Sequence, residues 1–371
     1  MIESAGLLIA RVDWTIALRI FETCELSQQS SLRTDWQAGC QDLRGLFALL
    51  ALGTQPEVLA FAEMNRITIV TILTVIALNG TQLLAETFRI AAYNVENYLD
   101  KPTESRKNVK SDASKAKVRE VILAMKPDVI ALEEMGELSA LIELRDSLKR
   151  AGLDLPHFEH VSGYDTNIHI AVLSKFPIIA SRPRTNESFL LNGRRFQVSR
   201  GFTDVDIKVN DHYQFTLIGA HLKSRRPIPN ADEGELRLEE AKALRVIVDK
   251  HLSAKPDANL VVLGDFNDTY NTKAIKEIVG RGKTKLTDTR PAEKNGDNLP
   301  NPSNPNYSPR NATWTHYYGV EDTYSRVDYL LLSPGMTREW NREQTYIPVI
   351  PNWGQGSDHR PLVATFEAEN K

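Results

Sequence analysis

The chain has 371 residues, 42% hydrophobic and 25% charged, a globular composition with enough length for one large core or two smaller ones. A formal net charge of −3 excludes attachment to nucleic acid through bulk charge alone but leaves room for a locally basic groove. No internal repeat appears, and the only biased tract is rich in Asn and Pro.

The N-terminal part reads as processing sequence. Met64-Asn65-Arg66, an apolar run from Ile67 to Leu78 and a polar stretch ending at Ala85 have the anatomy of a secretory signal peptide that starts at an internal methionine. The run is shorter than the roughly 20 apolar residues that span a bilayer, so no stable membrane anchor is expected. Residues 1–63 follow no convincing period and are read as a mis-called or disordered extension, 64–85 as the signal peptide and 86–369 as the folded domain. The expectation is a secreted or periplasmic monomer. Both cysteines, Cys24 and Cys40, lie in the extension, so the exported domain would rely on core size rather than disulfides.

Clear α/β patterning begins at Phe88. Residues 88–97 form an apolar run that delivers Asn94, Glu96 and Asn97 to its tip. A lysine-rich loop follows, then a helix over 114–125 stopped by Pro127. Residues 128–132 predict a buried strand ending in Glu133-Glu134; alone, such a pair reads as the solvated start of a helix over 137–149. Residues 168–174 form the next strand, and 202–209 with 213–222 predict a hairpin around Asn210-Asp211. His221 heads a cationic segment, Lys223 to Arg226; Arg225 is a phosphate-binding candidate, whereas Lys223 and Arg226 read as solvated loop. An amphipathic helix spans 235–252.

The most informative stretch is 259–268. Its apolar run ends in Gly264-Asp265-Phe266-Asn267. Gly264 would permit a tight turn where a side chain would obstruct a ligand. Asp265 and Asn267, two apart, would point to one side in extended geometry. The Asn/Pro-rich part of 285–318 predicts a long loop on the substrate side. A strand over 325–332 carries an inward Asp328, and Asp358-His359 introduces a last strand ending at Phe366. Tyr164, Trp314, Tyr317 and Tyr318 offer stacking surfaces, with core packing the safer assumption for each.

The strand ends thus supply carboxylates, amides and imidazoles but no cysteine. That donor set suits a hard divalent cation, Mg²⁺ or Mn²⁺, and the chemistry of phosphoester hydrolysis. At these same tips the chain resembles the endonuclease/exonuclease/phosphatase superfamily. The matches are Asn94-Val95-Glu96-Asn97, Ile130-Ala131-Leu132-Glu133-Glu134, Ala171-Val172-Leu173-Ser174, His221-Leu222-Lys223-Ser224, Gly264-Asp265-Phe266-Asn267, Arg326-Val327-Asp328-Tyr329 and Ser357-Asp358-His359-Arg360-Pro361. Each is weak singly; seven in order are specific.

The resemblance implies an α/β (α+β) fold, a four-layered α/β sandwich of two packed mixed β-sheets flanked by helices. It implies Glu134, Asp358 and Asn94 at the metal and Asp265 as the group that orients or deprotonates water. It also implies Asn267 and His221 on the phosphate, and His359 oriented by Asp328. Glu96 and Glu133 rank behind these, Glu133 standing where many relatives carry Gln and either strengthening metal binding or facing solvent. His169 stands where secreted relatives tend to carry Asp, and it reads equally well as a solvent-facing strand residue. The substrate implied is nucleic acid, DNA or RNA; the alternative is a phospholipid or inositol phosphatase of the same superfamily. Against that alternative, the sequence shows no aromatic hairpin of the kind a sphingomyelinase would insert into a membrane.

Overall fold

The computed structural model describes residues 86–294, 303 and 312–369. The signal-peptide and extension readings, and most of the Asn/Pro-rich tract, lie outside the described residues. In chain order the elements begin β1 (Glu86–Tyr98), α1 (Asp112–Met125), β2 (Val129–Met135), α2 (Leu138–Arg150), β3 (His157–Val161), β4 (His169–Ser174), β5 (Ile178–Ser181) and the hairpin β6 (Ser188–Leu191) with β7 (Arg194–Gln197). There follow β8 (Phe202–Lys208), β9 (Gln214–Ala220), α3 (Glu233–Ala254), β10 (Leu260–Asp265), α4 (Lys273–Val279), β11 (Thr287–Asp288), the hairpin β12 (His316–Tyr318) with β13 (Thr323–Ser325), β14 (Asp328–Leu332), β15 (Trp340–Tyr346) and β16 (Leu362–Ala368).

Two six-stranded mixed sheets result, in the orders β15-β16-β1-β2-β4-β3 and β11-β14-β10-β9-β8-β5. Each has one parallel pair at its centre, β1 with β2 and β9 with β10. Alternation along β1 explains the layering. Phe88, Ile90 and Ala92 face the second sheet, where they meet Phe215, Leu217, Val261 and Leu263. Ala91, Tyr93 and Val95 face α1 and α2. Residues of α3 and α4 cover the outer face of the second sheet. The fold is therefore the expected four-layered sandwich, its strands buried on both faces and correspondingly apolar.

Local chemistry fixes the ends. Ser111 caps α1, its side chain accepting from Ser114 N–H, and Lys126 stops it in a left-handed conformation just before Pro127. Asp232 caps α3 in the same way. Asn210 accepts from the N–H groups of His212 and Tyr213, closing the β8–β9 hairpin. Short or irregular strands, β3, β5, β6, β7, β12 and β15, lack the long apolar run on which the sequence reading relied. The Glu133-Glu134 pair belongs to β2 rather than to a helix start, because α2 begins at Leu138. Among the described residues no helix is long and apolar enough to cross a membrane.

One buried ion network ties β5 and β8 to α3. The Asp204 carboxylate is fully buried and accepts from Arg182, from Arg184 and from His251 Nε2 at 3.0 Å. Burial alone would raise its pKa; hydrogen bonds from His251, Arg182 and Arg184 outweigh this and hold it well below the usual carboxylate range. A depressed folded pKa contributes stability above the unfolded value of about 3.9 and loses it as pH falls through the folded value. Asp204→Asn should therefore cost about 3 kcal/mol at pH 7, the low end for breaking a buried pair, since both arginines keep some contact with water. Urea melts at pH 7 and below pH 4 check this: the gap between variant and wild type should narrow in acid.

Candidate active site

The site lies where the central strands of both sheets end. Asp265 closes β10 directly opposite Asp328 on β14, and both are buried. Two neighbouring carboxylates need a counter-charge, and His359 supplies it. Its Nδ1 lies 2.9 Å from Asp328 Oδ2 and its Nε2 3.8 Å from Asp265 Oδ2. Burial opposes a charge on His359, but Asp328 and Asp265 hold its pKa well above the ordinary imidazole value. His221 goes the other way. Burial, then the charges of Arg200, His359 and Arg106, push it well below that value, so it stays neutral. Its Nε2 lies 3.4 Å from Asp265 Oδ2.

Asp265 is held on all sides. Asn94 Nδ2 donates to it across the gap between sheets at 3.1 Å, Asn267 N–H at 2.8 Å and Asn267 Nδ2 at 3.2 Å. Burial raises its carboxyl, the charge of His359 lowers it, Asp328 raises it, and the balance is pushed up to about 6. Asn267 reaches Asp265 by a left-handed turn (φ 53°) rather than by the extended geometry expected from the spacing. Arg225 braces that turn, its Nε donating to the Asn267 carbonyl at 3.1 Å. Gly264 also has a different role from the one expected. Its φ is 127°, and a Cβ there would meet the Ala220 carbonyl at 2.2 Å and Glu133 Oε1 at 2.9 Å. The missing side chain makes room for the neighbouring strand, not for a ligand.

A second group, all oxygen, sits beside the first. Glu134 accepts from Asn97 N–H at 3.1 Å, and Asn94 Oδ1 accepts from Glu96 N–H at 3.0 Å. Burial, then Asp358 and, less strongly, Glu134 raise the Glu96 carboxyl against the opposing Lys110. Lys110 contacts Glu96 Oε2 at 3.4 Å and donates to the Gly356 carbonyl at 2.7 Å, so it faces inward and not toward a nucleic-acid backbone. Three carboxylates, Glu96, Glu134 and Asp358, with the Asn94 amide oxygen alongside, are a donor set that fits a hard divalent cation. Glu96, Asn97, Glu134 and Asn267 all have positive φ, a clustering of backbone strain at the strand tips where β1 and β2 also slip register.

Among the described residues, two clusters hold three metal-capable side chains within one ion's reach: Asp265–Asp328–His359 and His316–Asp358–His359. Asp265, Asp358 and His359 thus fall in two clusters that share His359, while Glu134 belongs to neither. Glu133 is fully buried, its carboxyl raised by burial, Asp328 and Asp265, so it does not face solvent. His169 does not either. It is buried against His160, ring centroids 4.7 Å apart.

The sequence reading missed His316, whose Nε2 lies 3.6 Å from Asp358 Oδ2 and whose ring lies 4.5 Å from that of His359. The Trp314-Thr-His316-Tyr-Tyr318 alternation was the available signal. It also placed aromatic residues in the core that the structure exposes: Tyr164 is 72% and Tyr318 44% accessible. Nor did it foresee the β12–β13 hairpin, which carries exposed Tyr318, Val320 and Tyr324 and bridges His359 through His316.

A model described as Endonuclease/Exonuclease/phosphatase family matches residues 91–359. No curated protein matches the sequence. Among solved structures, the human Nocturnin catalytic domain with bound sulfate is 16% identical with a TM-score of 0.52, covering 76% of this chain and 95% of its own. Truncated TDP2 from Caenorhabditis elegans is 16% identical, with a TM-score of 0.51 and coverage of 76% and 98%. Sphingomyelinase C from Streptomyces griseocarneus is 15% identical, with a TM-score of 0.51 and coverage of 76% and 100%. At these identities the likeness is one of fold.

Proposed function

Because the chain belongs to the endonuclease/exonuclease/phosphatase family of phosphoester hydrolases, we propose that it is a metal-dependent phosphodiesterase that cleaves nucleic acid by in-line attack of water. The observation that carries this is the buried Asp265–His359–Asp328 arrangement with a neutral His221 on the same carboxylate. Asp265 is basic enough near neutral pH to take a proton from water, yet largely ionised there. Asn94 and Asn267 fix its oxygens, so the acceptor does not rotate away. The cationic His359 and the neutral N–H of His221 supply donors where the phosphoryl oxygens gather charge. Asp328 keeps His359 both charged and oriented. Glu134, Asp358 and Asn94, with Glu96 beside them, would hold Mg²⁺ or Mn²⁺, which supplies Lewis-acid stabilisation of the dianion and leaving oxygen.

A second reading has one observation in its favour. The exposed aromatic hairpin β12–β13 beside His359 would suit a phospholipid headgroup as well as a base. Plasmid DNA and RNA incubated with the protein and Mg²⁺ should be degraded. Phosphorylated headgroup released from vesicles, with nucleic acid intact, would reverse the ranking.

A further inference from the structure

The ladder between β1 and β16 ends at the pair Ala92–Leu362. Pro361, next in line, has no N–H with which to extend it. The groups that matter to the site lie just past that point: Asn94 and Glu96 on β1, Asp358 and His359 on the segment leading into β16. There side chains replace the ladder. Ser357 Oγ donates to the Asn94 carbonyl at 2.7 Å and accepts from His359 N–H at 3.0 Å. Lys110 makes a second tie, its Nζ donating to the Gly356 carbonyl at 2.7 Å and standing 3.4 Å from Glu96 Oε2. Other bonds of the segment run toward β12 and β14. Tyr317 N–H donates to the Asp358 carbonyl at 3.1 Å, Arg360 N–H to the Thr315 carbonyl at 2.6 Å, and His359 Nδ1 meets Asp328.

Lys110 comes from a loop, yet its side chain is only 5% accessible. Fixing so flexible a stem costs conformational entropy, and drying its ammonium costs more. A carboxylate and a carbonyl offset both. Each of these partners is itself fixed. Glu96 takes a left-handed conformation (φ 45°), and its N–H donates to Asn94 Oδ1 at 3.0 Å. Gly356 lies against α1, where a Cβ would meet Lys117 Cγ and Val118 N, each at 3.2 Å. One ammonium thus joins three stretches of chain: the lysine-rich loop, the tip of β1 and the segment that carries Asp358 and His359.

We propose that Lys110 is a positioning residue for hydrolysis: by bridging Glu96 and Gly356 it holds the Asp358–His359 segment in register with Asn94 beyond the end of the strand ladder. It acts through these neighbours and not on the reacting atoms. The inference rests on the hydrolytic reading of the site and not on nucleic acid as its substrate.

Lys110→Met keeps most of the stem and removes the ammonium. Since a misplacement of about 1 Å can cost about 100-fold in rate, kcat for bis(p-nitrophenyl) phosphate should fall about 10- to 100-fold while KM changes less than about twofold. Lys110→Arg keeps charge and donors and should recover most of the loss. Ser357→Ala should lower kcat as well, and the double variant should lose less than the product of the single losses, because both act on one segment. A second readout needs neither substrate nor metal. With isotope-labelled histidine, the imidazole N–H signal of His359, identified by its loss in His359→Ala, should shift or broaden in Lys110→Met and return in Lys110→Arg. Should the methionine variant not fold, Lys110→Gln, one bond too short to bridge both partners, gives the same comparison. A folded variant with wild-type kcat and an unchanged His359 signal would overturn the proposal; lowered stability with both unchanged would assign Lys110 to the fold alone and overturn it equally. If wild type leaves the ester intact, the hydrolytic reading fails, and the His359 signal alone decides whether Lys110 holds the segment.

Discussion

Asp265→Asn is expected to lower kcat for phosphodiester hydrolysis by about 10³-fold while the protein stays folded. The substitution is isosteric and removes the proton acceptor, together with one of the two oxygens that accept from Asn94 and Asn267; a positioned base of this kind contributes on the order of 10²- to 10⁴-fold. The loss of stability should be limited, because the hydrogen bonds given up are offset by relief of the negative charge that Asp265, Asp328 and Glu133 crowd into one buried region. His359→Ala should cost a similar factor, and the double variant little more than either single one, since the two groups act on one transition state. Steady-state kinetics with circular dichroism of each variant checks this. A folded Asp265→Asn protein with wild-type turnover would remove Asp265 from the reaction.

Chelation should have an effect at least as large. Excess EDTA is expected to abolish hydrolysis, and Mg²⁺ or Mn²⁺ to restore it, because Glu96, Glu134 and Asp358 offer the oxygen donors that a hard divalent cation takes. Glu134→Gln should raise the Mg²⁺ concentration for half-maximal rate by about tenfold, equivalent to about 1.4 kcal/mol of binding. The variant can be followed independently by the thermal shift that Mg²⁺ produces in the protein without substrate. Full turnover in EDTA, or an unchanged Mg²⁺ requirement in the variant, would exclude this assignment.

What could be read from the chain was whatever local pattern encodes. The tips of β1, β2 and β10 announce themselves as apolar runs that stop at Asn, Glu or Asp, and the sandwich is what the resemblance carried by those tips implies. What could not be read depends on which distant side chain arrives. His316 gains meaning only when β12 meets the segment before β16. Lys110 belongs to a lysine-rich loop in which nothing distinguishes it from its solvated neighbours until Gly356 is in place. Even the well-marked Asn267 was placed by the wrong geometry, since period-two reasoning fails once the backbone turns left-handed.

The bond that joins Asn94 to Asp265 runs from one sheet to the other, and the one that joins His359 to Asp328 runs from the segment leading into β16 of the first sheet to β14 of the second. Neither half of the sandwich owns a complete set of reacting groups. Catalytic competence is therefore a property of the last long-range step in assembly, the closing of one sheet on the other, and recovery of turnover during refolding would time that event rather than the earlier growth of helices or hairpins.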